Sequence, residues 1–405
     1  MYPQKPTLFG YGLTTKAIAK KLGGGCTFFD DNVKEAYQDE DDNHILPSHL
    51  FDPEQSQLEV TTPSLKPDHP LIQGAKHLLS EYDYFAKEMP FNIWISGTNG
   101  KTTTTQMLTH ILEHRGAVSG GNIGTPLAAL STDAPIWVLE SSSFTLHHTH
   151  TASPDIYLLL PITPDHLDWH STSERYAADK LRPLLTMKEG ELALIPKGLT
   201  LPPTDAYVVE YDSNAFIAAY FNLDATRLRF KAAFLQDALL ALAVSKVLFD
   251  ETDYDLMNTF TLDAHRQEEI HDAQNRVWIN DSKATNLDAT IQAVKGYADK
   301  EIHLILGGDD KGVNLNPLFK VMQPLMLTLY TIGANSKKLL ALADTYHIKA
   351  IESKTIERAI DEIHKVHTLE SIALLSPAAA SFDQFKSYKH RGEIFKKQIK
   401  NLKNH

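Results

Sequence analysis

The sequence predicts an α/β protein of three domains in series, each with a mostly parallel β-sheet flanked by helices. Short segments rich in Ile, Val, Leu, Phe and Trp recur along the chain, and helical patterns separate them. Glycine turns or polar runs follow these segments, as in nucleotide-binding α/β units. The 405 residues suffice for several domains of ordinary size. The predicted strands include 27–30, 92–96, 136–140, 155–162, 277–280, 302–306, 327–332 and 372–375.

Composition narrows the class of protein. Lys and Arg total 39 against 51 for Asp and Glu, a formal charge of −12, which argues against a surface built for nucleic acid or anionic lipid. The single cysteine, Cys26, excludes an internal disulfide framework, and we expect it to be a small core residue. No secretory signal pattern is present, and the longest apolar runs, such as 156–162, have strand length rather than the ~20 residues that span a bilayer. We therefore expect a cytoplasmic protein with no membrane or nucleic-acid partner.

Residues 1–90 are predicted to form a first, Rossmann-like domain. A strand, a glycine turn at 10–12, a helix and a second strand ending in Asp30 give the outline of a βαβ nucleotide-binding unit. Thr15 stands where the third glycine of the dinucleotide pattern would fall, so a plain structural βα turn is the alternative. A polar helix is expected over 71–87, before the second domain begins.

The most informative local pattern opens the second domain, residues 91–263. An apolar strand runs into Gly97-Thr98-Asn99-Gly100-Lys101-Thr102-Thr103, and apolar residues at helical spacing follow. Backbone N–H groups at such a turn face an anion, Lys101 can neutralise phosphate oxygens, and the Thr102 hydroxyl can ligate Mg²⁺. Ile95 stands where the general phosphate-loop pattern has its first glycine, so a glycine-rich turn with a surface lysine is the alternative.

Polar residues also follow the next strands of this domain. Glu140 ends one apolar segment, and Asp165 and His166 follow another. The carboxyl ends of parallel strands are where ligands bind, so these groups could converge above the phosphate loop. Glu140 and Thr102 can offer hard oxygen ligands to Mg²⁺, with His166 as a less usual ligand. Taken singly, each residue is more often a helix cap or a satisfied polar group.

Three histidines, His147, His148 and His150, lie close together in the sequence. No carboxylate or cysteine at useful spacing completes a metal-binding set around them. We therefore expect a solvated helix face rather than a metal site.

The third domain, residues 264–405, opens with His265-Arg266 and carries three polar runs that each follow a strand. Arg266, Lys283 and Lys311 would make a locally cationic site in an acidic protein, suited to a small polyanion. Caps, turns and exposed lysines explain each run singly. The three runs are 278–286, 306–312 and 375–385.

Together these motifs resemble the Mur ligase family, and within it the branch that adds D-glutamate. The phosphate loop has the shorter glycine pattern of Mur ligases and folylpolyglutamate synthases, which removes the mismatch at Ile95. The likeness runs in order from Gly10 to Arg391. The motifs that carry it are 97–103, 140–144, 163–168, 265–266, 280–286, 307–311 and 376–385.

The resemblance implies an ATP-dependent ligase that joins D-glutamate to UDP-N-acetylmuramoyl-L-alanine through an acyl phosphate, in cytoplasmic peptidoglycan precursor synthesis. It implies a first domain for the UDP-sugar, a central P-loop ATPase domain with a parallel sheet, and a Rossmann-like third domain for the amino acid. ATP and two Mg²⁺ ions would be required, and the protein would be a monomer. A sister ligase with another substrate, a folylpolyglutamate synthase-like ligase and a non-catalytic nucleotide-binding protein are the alternatives.

By motif matching, the resemblance also assigns roles to single residues. The catalytic group would be Lys101, Glu140, His166, Lys180 and His265. The metal ligands would be Thr102, Glu140, His166 and Lys180, the last as the carbamate that the family forms. The ATP site would comprise Gly97, Thr98, Asn99, Gly100, Lys101, Thr102, Thr103, Arg266 and Asp281. The substrate site would comprise Leu13, Thr14, Asp30 and Asp31 near uridine, Asn122 near the sugar-linked substrate, and Lys283, Thr285, Lys311, Ser381 and Phe382 around D-glutamate.

Three departures from the family pattern bear on these assignments. The adenine-contacting pattern is degraded to Ala233-Phe234-Leu235-Gln236-Asp237, and Thr62-Pro63-Ser64 stands where many relatives have Ser-Pro-Gly. Asp310 stands where glycine is common. We expect it to add a negative charge beside Lys311, in a pocket meant for a dicarboxylate.

Overall fold

A computed structural model describes residues 5–402 and contains three six-stranded sheets that follow one another along the chain. The strands are β1 (Thr7–Phe9), β2 (Thr27–Asp30), β3 (Tyr37–Gln38), β4 (His44–Pro47), β5 (Glu59–Thr61), β6 (Leu78–Leu79), β7 (Phe91–Ser96), β8 (Ala117–Gly121), β9 (Ile136–Glu140), β10 (Ile156–Leu159), β11 (Leu192–Pro196), β12 (Tyr207–Tyr211), β13 (Glu268–His271), β14 (Val277–Asn280), β15 (Glu301–Leu306), β16 (Leu327–Ile332), β17 (Lys349–Lys354) and β18 (Ser371–Leu375). The helices are α1 (Leu13–Lys21), α2 (Pro70–Gly74), α3 (Glu81–Phe85), α4 (Lys101–Leu112), α5 (Ser143–His147), α6 (Leu167–His170), α7 (Ser173–Leu181), α8 (Asn214–Tyr220), α9 (Ala232–Phe249), α10 (Tyr254–Thr259), α11 (Leu287–Gly296), α12 (Asn316–Met322), α13 (Ser336–Thr345), α14 (Ile356–His364) and α15 (Tyr388–Lys400).

The chain divides into two compact units. The first unit runs to Arg229 and includes Gln236–Asn258, whereas the second unit comprises Phe230–Leu235 and the chain from Thr259 onwards. The first two sheets lie in the first unit and the third sheet lies in the second.

The first sheet has the order β3-β4-β2-β1-β5-β6 and is parallel except for β3. The predicted βαβ outline is present, and the Thr15 hydroxyl donates to the Gly10 carbonyl at 2.5 Å across the turn. Cys26 is buried, as predicted for a core residue. The single helix expected over 71–87 is wrong, because α2, β6 and α3 occupy that stretch. The short apolar pair of β6 adds to the edge of the sheet beside β5, which interrupts the helix.

The second sheet has the order β12-β11-β10-β7-β9-β8, and every pairing in it is parallel. The central strand β7 is buried along all but its first residue, as expected for a parallel sheet covered on both faces. Its two neighbours are β9 and β10, so the segments that follow these three strands share one edge of the sheet. Strand β10 is shorter than the predicted 155–162 and ends ahead of Pro161, which has no N–H for the ladder.

The third sheet has the order β13-β14-β18-β15-β16-β17 and is parallel except for β13. The predicted strands at 277–280 and 327–332 have the observed bounds. The three polar runs follow β14, β15 and β18, which are immediate neighbours in the sheet. The topology therefore brings together runs that the sequence separates by tens of residues.

Helix α9 is the one helix within residues 5–402 that is long and apolar enough, by length and composition alone, to cross a membrane. The sequence prediction, which gave the longest apolar runs strand length, did not identify this helix. Half of this 18-residue helix is buried inside the protein. It also carries Asp237 and Lys246. A core helix of a globular unit passes the same test of length and composition.

Two buried histidines lie together in the core of the third sheet. The ring centroids of His303, on β15, and His367 are 5.7 Å apart. The His367 ring nitrogens are bonded to Ser371 Oγ and to the Val277 carbonyl, which suits a neutral ring with one donor and one acceptor. Burial, together with the neighbouring His303, lowers the pKa of His367 to about 4. Burial also lowers the pKa of His303.

We expect acid to destabilise the second unit for this reason. An unfolded chain titrates these histidines near pH ~6.5, so it binds more protons than the folded chain between pH ~6.5 and ~4, and the free energy of unfolding falls as the pH falls through that window. For His367 the loss from pH ~7 to ~5 is about 2 kcal/mol. Urea denaturation at both pH values should show a smaller loss for His367→Gln. The exposed His271→Gln is the control, and equal acid sensitivity of His367→Gln and wild type would contradict the prediction.

Candidate active site

The turn between β7 and α4 has the backbone that a phosphate loop requires. Gly97 and Gly100 have φ values of +141° and +83°. A Cβ at Gly97 would lie 2.5 Å from Leu160 Cβ, so only glycine fits there. Helix α4 begins directly after the turn, at Lys101, so the positive end of its dipole lies at the turn, which favours an anion there.

Lys101 folds back over this turn. Its Nζ donates to the carbonyl oxygens of Gly97 and Thr98, each at 2.9 Å. The Thr98 hydroxyl donates to the Thr163 carbonyl at 2.9 Å and lies 3.0 Å from the Tyr176 hydroxyl. The loop is thus anchored to the segment that follows β10, and the ammonium group lies against the loop's carbonyl oxygens.

Glu140 ends β9 and is paired in register with Ile95 of β7. Its Oε1 accepts a hydrogen bond from Asn122 Nδ2 at 2.5 Å. Its Oε2 is buried and has no hydrogen-bond partner within residues 5–402. A buried carboxylate oxygen needs compensation, and a cation bound beside the phosphate loop would supply it.

Lys180 lies behind the loop on α7 and is 1% exposed. Its Nζ donates to the Gly97 carbonyl at 2.7 Å and to Ser96 Oγ at 3.3 Å. Burial lowers the pKa of Lys180 well below its usual range, and the charge of Lys101 lowers it further. The amine is therefore neutral in a larger fraction of molecules than an exposed lysine would be.

His166 directly precedes α6 as its N-cap residue, with a left-handed φ of +52°, and its side chain is 49% exposed. Its ring centroid lies 4.9 Å from that of Phe144. Burial lowers the pKa of His166, Asp165 raises it, and Lys101 and Lys180 lower it again. The neutral imidazole that a metal ligand requires is therefore favoured. His166, Glu140, Lys101 and Lys180 therefore lie in one region of the first unit.

These residues fit Mg²⁺ as a partly substrate-held ion. Within residues 5–402 no three His, Cys, Asp or Glu side chains converge in a metal-binding group. Mg²⁺ usually takes one or two carboxylates and completes its shell with substrate phosphates and water. Glu140 supplies the carboxylate, and Thr102, the second residue of α4, offers a hydroxyl.

The expectation of a solvated face at His147, His148 and His150 is wrong for the first two residues. His148 is buried, and burial lowers its pKa to about 4. The Nδ1 of His147 lies 2.9 Å from Asp179 Oδ1. His150 is exposed. Asp179 comes from α7, so local spacing gave no indication of this partner.

Asp179 is the centre of a hydrogen-bond network that sequence analysis missed. Its Oδ2 also lies 2.8 Å from His170 Nδ1, and His170 Nε2 lies 2.9 Å from Ser143 Oγ. Burial opposes the ionised form, but the bonds to His147 and His170 keep the pKa of Asp179 below its usual range. The network joins α5, which begins shortly after Glu140, to the residue before Lys180. It therefore ties α5 and α6 to α7, the helix that carries Lys180.

The second unit holds a separate group around the start of the third sheet. Asn280 Nδ2 donates to His265 Nδ1 at 2.8 Å, and a Cβ at Gly392 would lie 2.2 Å from that same nitrogen. Asp281 is buried and accepts from Ser376 Oγ at 2.8 Å. Burial raises the pKa of Asp281 to about 7, against the hydrogen bond from Ser376. Arg266 lies close enough for its charge to lower that pKa.

Arg391 holds two of the polar runs together and was not assigned a role from sequence. It is fully buried, donates to Ser282 Oγ and O at 2.9 Å, and donates to the Ala379 carbonyl at 3.2 Å. Its spacing with the buried Phe395 and Ile399 on α15 is helical, which is the signal that could have identified it. Lys283 Nζ lies 4.3 Å from the centroid of the Tyr388 ring.

The predicted D-glutamate residues differ in exposure. Lys311, Thr285 and Phe382 are exposed, whereas Ser381 is buried. Asp309 pairs with Ala380 through backbone hydrogen bonds of 3.0 and 2.9 Å, which joins the runs after β15 and β18.

Asp310, expected to add a negative charge beside Lys311, has a cationic partner elsewhere in the third domain. Its Oδ2 lies 2.8 Å from Lys338 Nζ in an ion pair that the local sequence does not indicate.

The predicted uridine contacts lie at the carboxyl ends of the neighbouring strands β1 and β2. Asp30 Oδ2 accepts from the Tyr11 N–H at 2.7 Å. Asp31 Oδ2 lies 2.8 Å from His69 Nε2, and hydrogen bonds from Ser48 and His69 lower the pKa of Asp31. Leu13 begins α1 and is exposed, and Thr14 follows it.

The degraded adenine pattern ends in a residue that packs beside the phosphate loop. Asp237 is buried on α9, and a Cβ at Gly100 would lie 2.8 Å from its Oδ1. This proximity gives Gly100 a second reason to be glycine, besides its left-handed φ.

A family model matches one segment of the chain, and known proteins match nearly all of it. Residues 95–201 match the Mur ligase middle domain. The chain is 47% identical over 401 residues to a UDP-N-acetylmuramoylalanine--D-glutamate ligase of Campylobacter jejuni (strain RM1221), which covers 98% of this chain and 100% of that protein. It is 43% identical over 415 residues to the same-named protein of Helicobacter pylori (strain J99 / ATCC 700824), covering 97% and 98%. The fold is similar to that of the MurF ligase from Thermotoga maritima in complex with ADP, with a TM-score of 0.56 and 14% identity over 98% of this chain and 99% of that one.

Proposed function

The chain belongs to the UDP-N-acetylmuramoylalanine–D-glutamate ligases of the Mur ligase family, and on that premise we propose that it adds D-glutamate to UDP-N-acetylmuramoyl-L-alanine at the expense of ATP. This reaction is a step in peptidoglycan precursor synthesis. The observation that carries the proposal is the buried Oε2 of Glu140, which has no hydrogen-bond partner in the part of the chain that the structure describes. Glu140 ends β9, the strand paired with β7, and β7 leads into the phosphate loop with its Lys101. An ATP-dependent ligase needs a cation site at that place.

The reaction must activate a carboxylate, because a carboxylate is a poor electrophile in water. The alanyl carboxylate attacks the γ-phosphorus of ATP, the bond to ADP breaks, and an acyl phosphate forms. The D-glutamate amine then attacks the acyl carbon, loses a proton, and the tetrahedral intermediate expels inorganic phosphate. Correct orientation of the reacting groups is worth ~7–11 kcal/mol of barrier.

Residues of the first unit perform the phosphoryl step. Lys101 and the loop N–H groups hold the phosphates of ATP and lower the repulsion between two anions. Mg²⁺ ions held by Glu140, Thr102, His166 and carbamylated Lys180 would neutralise further phosphate charge. The role of the remaining loop residues, Gly97 to Thr103, is to keep the backbone open to ATP.

Carbamylation of Lys180 is supported by the burial of its amine, which lowers the pKa of Lys180 and so favours the neutral form. The amine attacks CO₂, an N–C bond forms and a proton leaves, so a neutral side chain becomes an anion. A carbamate next to Lys101 is a better neighbour than a second ammonium group, because opposite charges attract.

The roles of the other residues follow the three regions 1–90, 91–263 and 264–405, each of which contains one sheet. We assign these regions to the UDP-sugar, to ATP and to the amino acid. The uridine contacts are Leu13, Thr14, Asp30 and Asp31, and Asn122 contacts the sugar-linked substrate. The contacts of the third region are His265, Arg266 and Asp281 for the nucleotide side, and Lys283, Thr285, Lys311, Ser381 and Phe382 for D-glutamate.

One assay tests the function. Phosphate release should require ATP, UDP-N-acetylmuramoyl-L-alanine and D-glutamate together. Turnover with another amino acid in place of D-glutamate would identify a sister ligase, and turnover with a folate would identify a folylpolyglutamate synthase-like ligase. Absence of phosphate release with every acceptor would identify a nucleotide-binding protein without catalysis.

The amino-acid site predicts a selective kinetic effect for Lys311→Ala. Lys311 is exposed on the loop after β15, and loss of one charge-assisted hydrogen bond to a carboxylate is expected to raise the KM for D-glutamate roughly 10-fold to 100-fold. The KM for the UDP-sugar should change by less than about twofold. Lys349→Ala, an exposed lysine on β17, is the control. A selective rise in the KM for the UDP-sugar would show that the domain roles are misassigned.

A further inference from the structure

The side chain of Asp310 points away from solvent and into a small polar cluster. Its Oδ2 accepts from Lys338 Nζ at 2.8 Å and from Asn335 Nδ2 at 3.0 Å. Its Oδ1 accepts from the Gly312 N–H at 3.0 Å, which closes a turn around Lys311. The Asp310 side chain is 9% exposed and that of Lys338 is 39% exposed.

The same cluster holds both ends of the loop that carries Lys311. Asn335 Oδ1 accepts from the Gly308 N–H at 3.0 Å, at the start of the loop. Lys338 Nζ also donates to the Val313 carbonyl at 2.6 Å, at its end. Asn335 and Lys338 lie at the start of α13, so the first turn of this helix is bonded to the loop at both ends.

Asp310 is anionic in this setting and needs a cation. Burial opposes its ionised form, but the hydrogen bonds from Lys338 and Asn335 hold the pKa of Asp310 below its usual range. Without Lys338, the cation nearest in sequence to the Asp310 carboxylate would be Lys311. It would then compete with a dicarboxylate substrate for the same ammonium group.

We propose that Lys338 is a positioning residue for the amino-acid substrate: it neutralises Asp310 and fixes the loop 307–313, which leaves Lys311 available to a substrate carboxylate. The inference rests on the proposed function, since it names the device that lets this chain bind D-glutamate despite an extra acid in the loop. Lys338 acts through Asp310 and does not contact the substrate.

This pairing predicts an asymmetry between single and double variants. Removal of Lys338 alone leaves a largely buried carboxylate uncompensated, which is costly, whereas removal of both charges is mild. Asp310→Asn removes the charge and keeps the shape and one acceptor oxygen of the side chain, with an amide NH₂ donor in place of the second oxygen. The Lys338→Ala defect should therefore be suppressed by Asp310→Asn.

Steady-state kinetics of the full-length protein test the proposal. Lys338→Ala should raise the KM for D-glutamate about 10-fold and leave the KM for the UDP-sugar within about twofold. Asp310→Asn and the double variant Asp310→Asn/Lys338→Ala should both stay within about threefold of wild type. Lys338→Arg should restore most of the affinity, because it keeps the charge. Lys337→Ala, an exposed lysine on the same helix turn, is the matched control.

The outcomes separate this inference from the function on which it rests. Wild-type turnover with D-glutamate decides the function in the same assay. If wild type is active, two results would overturn only the role of Lys338. One is a KM for D-glutamate that Lys338→Ala does not change, and the other is a KM as high in the double variant as in Lys338→Ala. Thermal unfolding of each variant shows whether a rise in KM comes from a destabilised unit, in which case kcat and both KM values would change together and the proposal would be wrong.

Discussion

Lys101→Ala is expected to abolish ATP-dependent ligation. The ammonium group is held against the phosphate loop by the Gly97 and Thr98 carbonyl oxygens, each at 2.9 Å. In the complex with ATP it would exchange these neutral acceptors for phosphate oxygens, whose charge grows on the leaving group during phosphoryl transfer. We expect kcat/KM to fall by ~10³-fold or more, because both nucleotide binding and transition-state stabilisation depend on this charge.

Phosphate release with all three substrates measures the effect, and binding of a fluorescent ATP analogue provides a readout that does not depend on turnover. Lys188→Ala removes the same charge from an exposed position of the first unit and should leave both readouts unchanged. Turnover of Lys101→Ala within about tenfold of wild type would remove the phosphate-loop assignment.

The phosphate loop was predictable from sequence because every part of it is local. An apolar strand, two glycines with left-handed φ and a helix that begins at Lys101 are adjacent in the chain. The polar runs of the third sheet were predictable for a related reason. They follow strands, and the carboxyl ends of parallel strands share one edge, so the sheet order β14-β18-β15 brings them together.

The interactions that sequence analysis missed are pairings between distant segments. Asp179 binds His147 and His170 through hydrogen bonds whose partners come from three different helices. Lys338 lies on α13, the second helix after Asp310 along the chain, and pairs with that carboxylate. No periodicity or spacing marks such partners, because the register between elements is set by tertiary packing.

The error at 71–87 has a different cause. The helical spacing of polar residues over 71–87 predicts one helix. In the structure α2 ends at Gly74, and α3 begins after Ser80, whose side chain accepts from the Asp83 N–H. The apolar pair between them finds a strand partner in β5. Local propensity was overridden by an available sheet edge.

Lys180→Ala is expected to be inactive and to recover in part when short carboxylic acids are added. The buried Lys180 Nζ lies 2.7 Å from the Gly97 carbonyl, so truncation opens a cavity directly behind the phosphate loop. If the working form of this side chain is an anionic carbamate, formate or acetate in that cavity supplies the same type of oxygen ligand. We expect a loss of roughly 10³-fold in kcat without the acid and a concentration-dependent recovery with it.

Two variants and one spectrum make the result specific to the carbamate. Lys180→Arg fills the cavity and should show no recovery, and Lys101→Ala should show none because its defect lies at the phosphates. In ¹³C-labelled bicarbonate, wild type should give a carbamate carbon resonance that Lys180→Ala lacks, which tests the modification without turnover. Full activity of Lys180→Ala without added acid would show that the carbamate is not needed. A wild-type spectrum with no carbamate signal would show that the anion beside Lys101 is not formed.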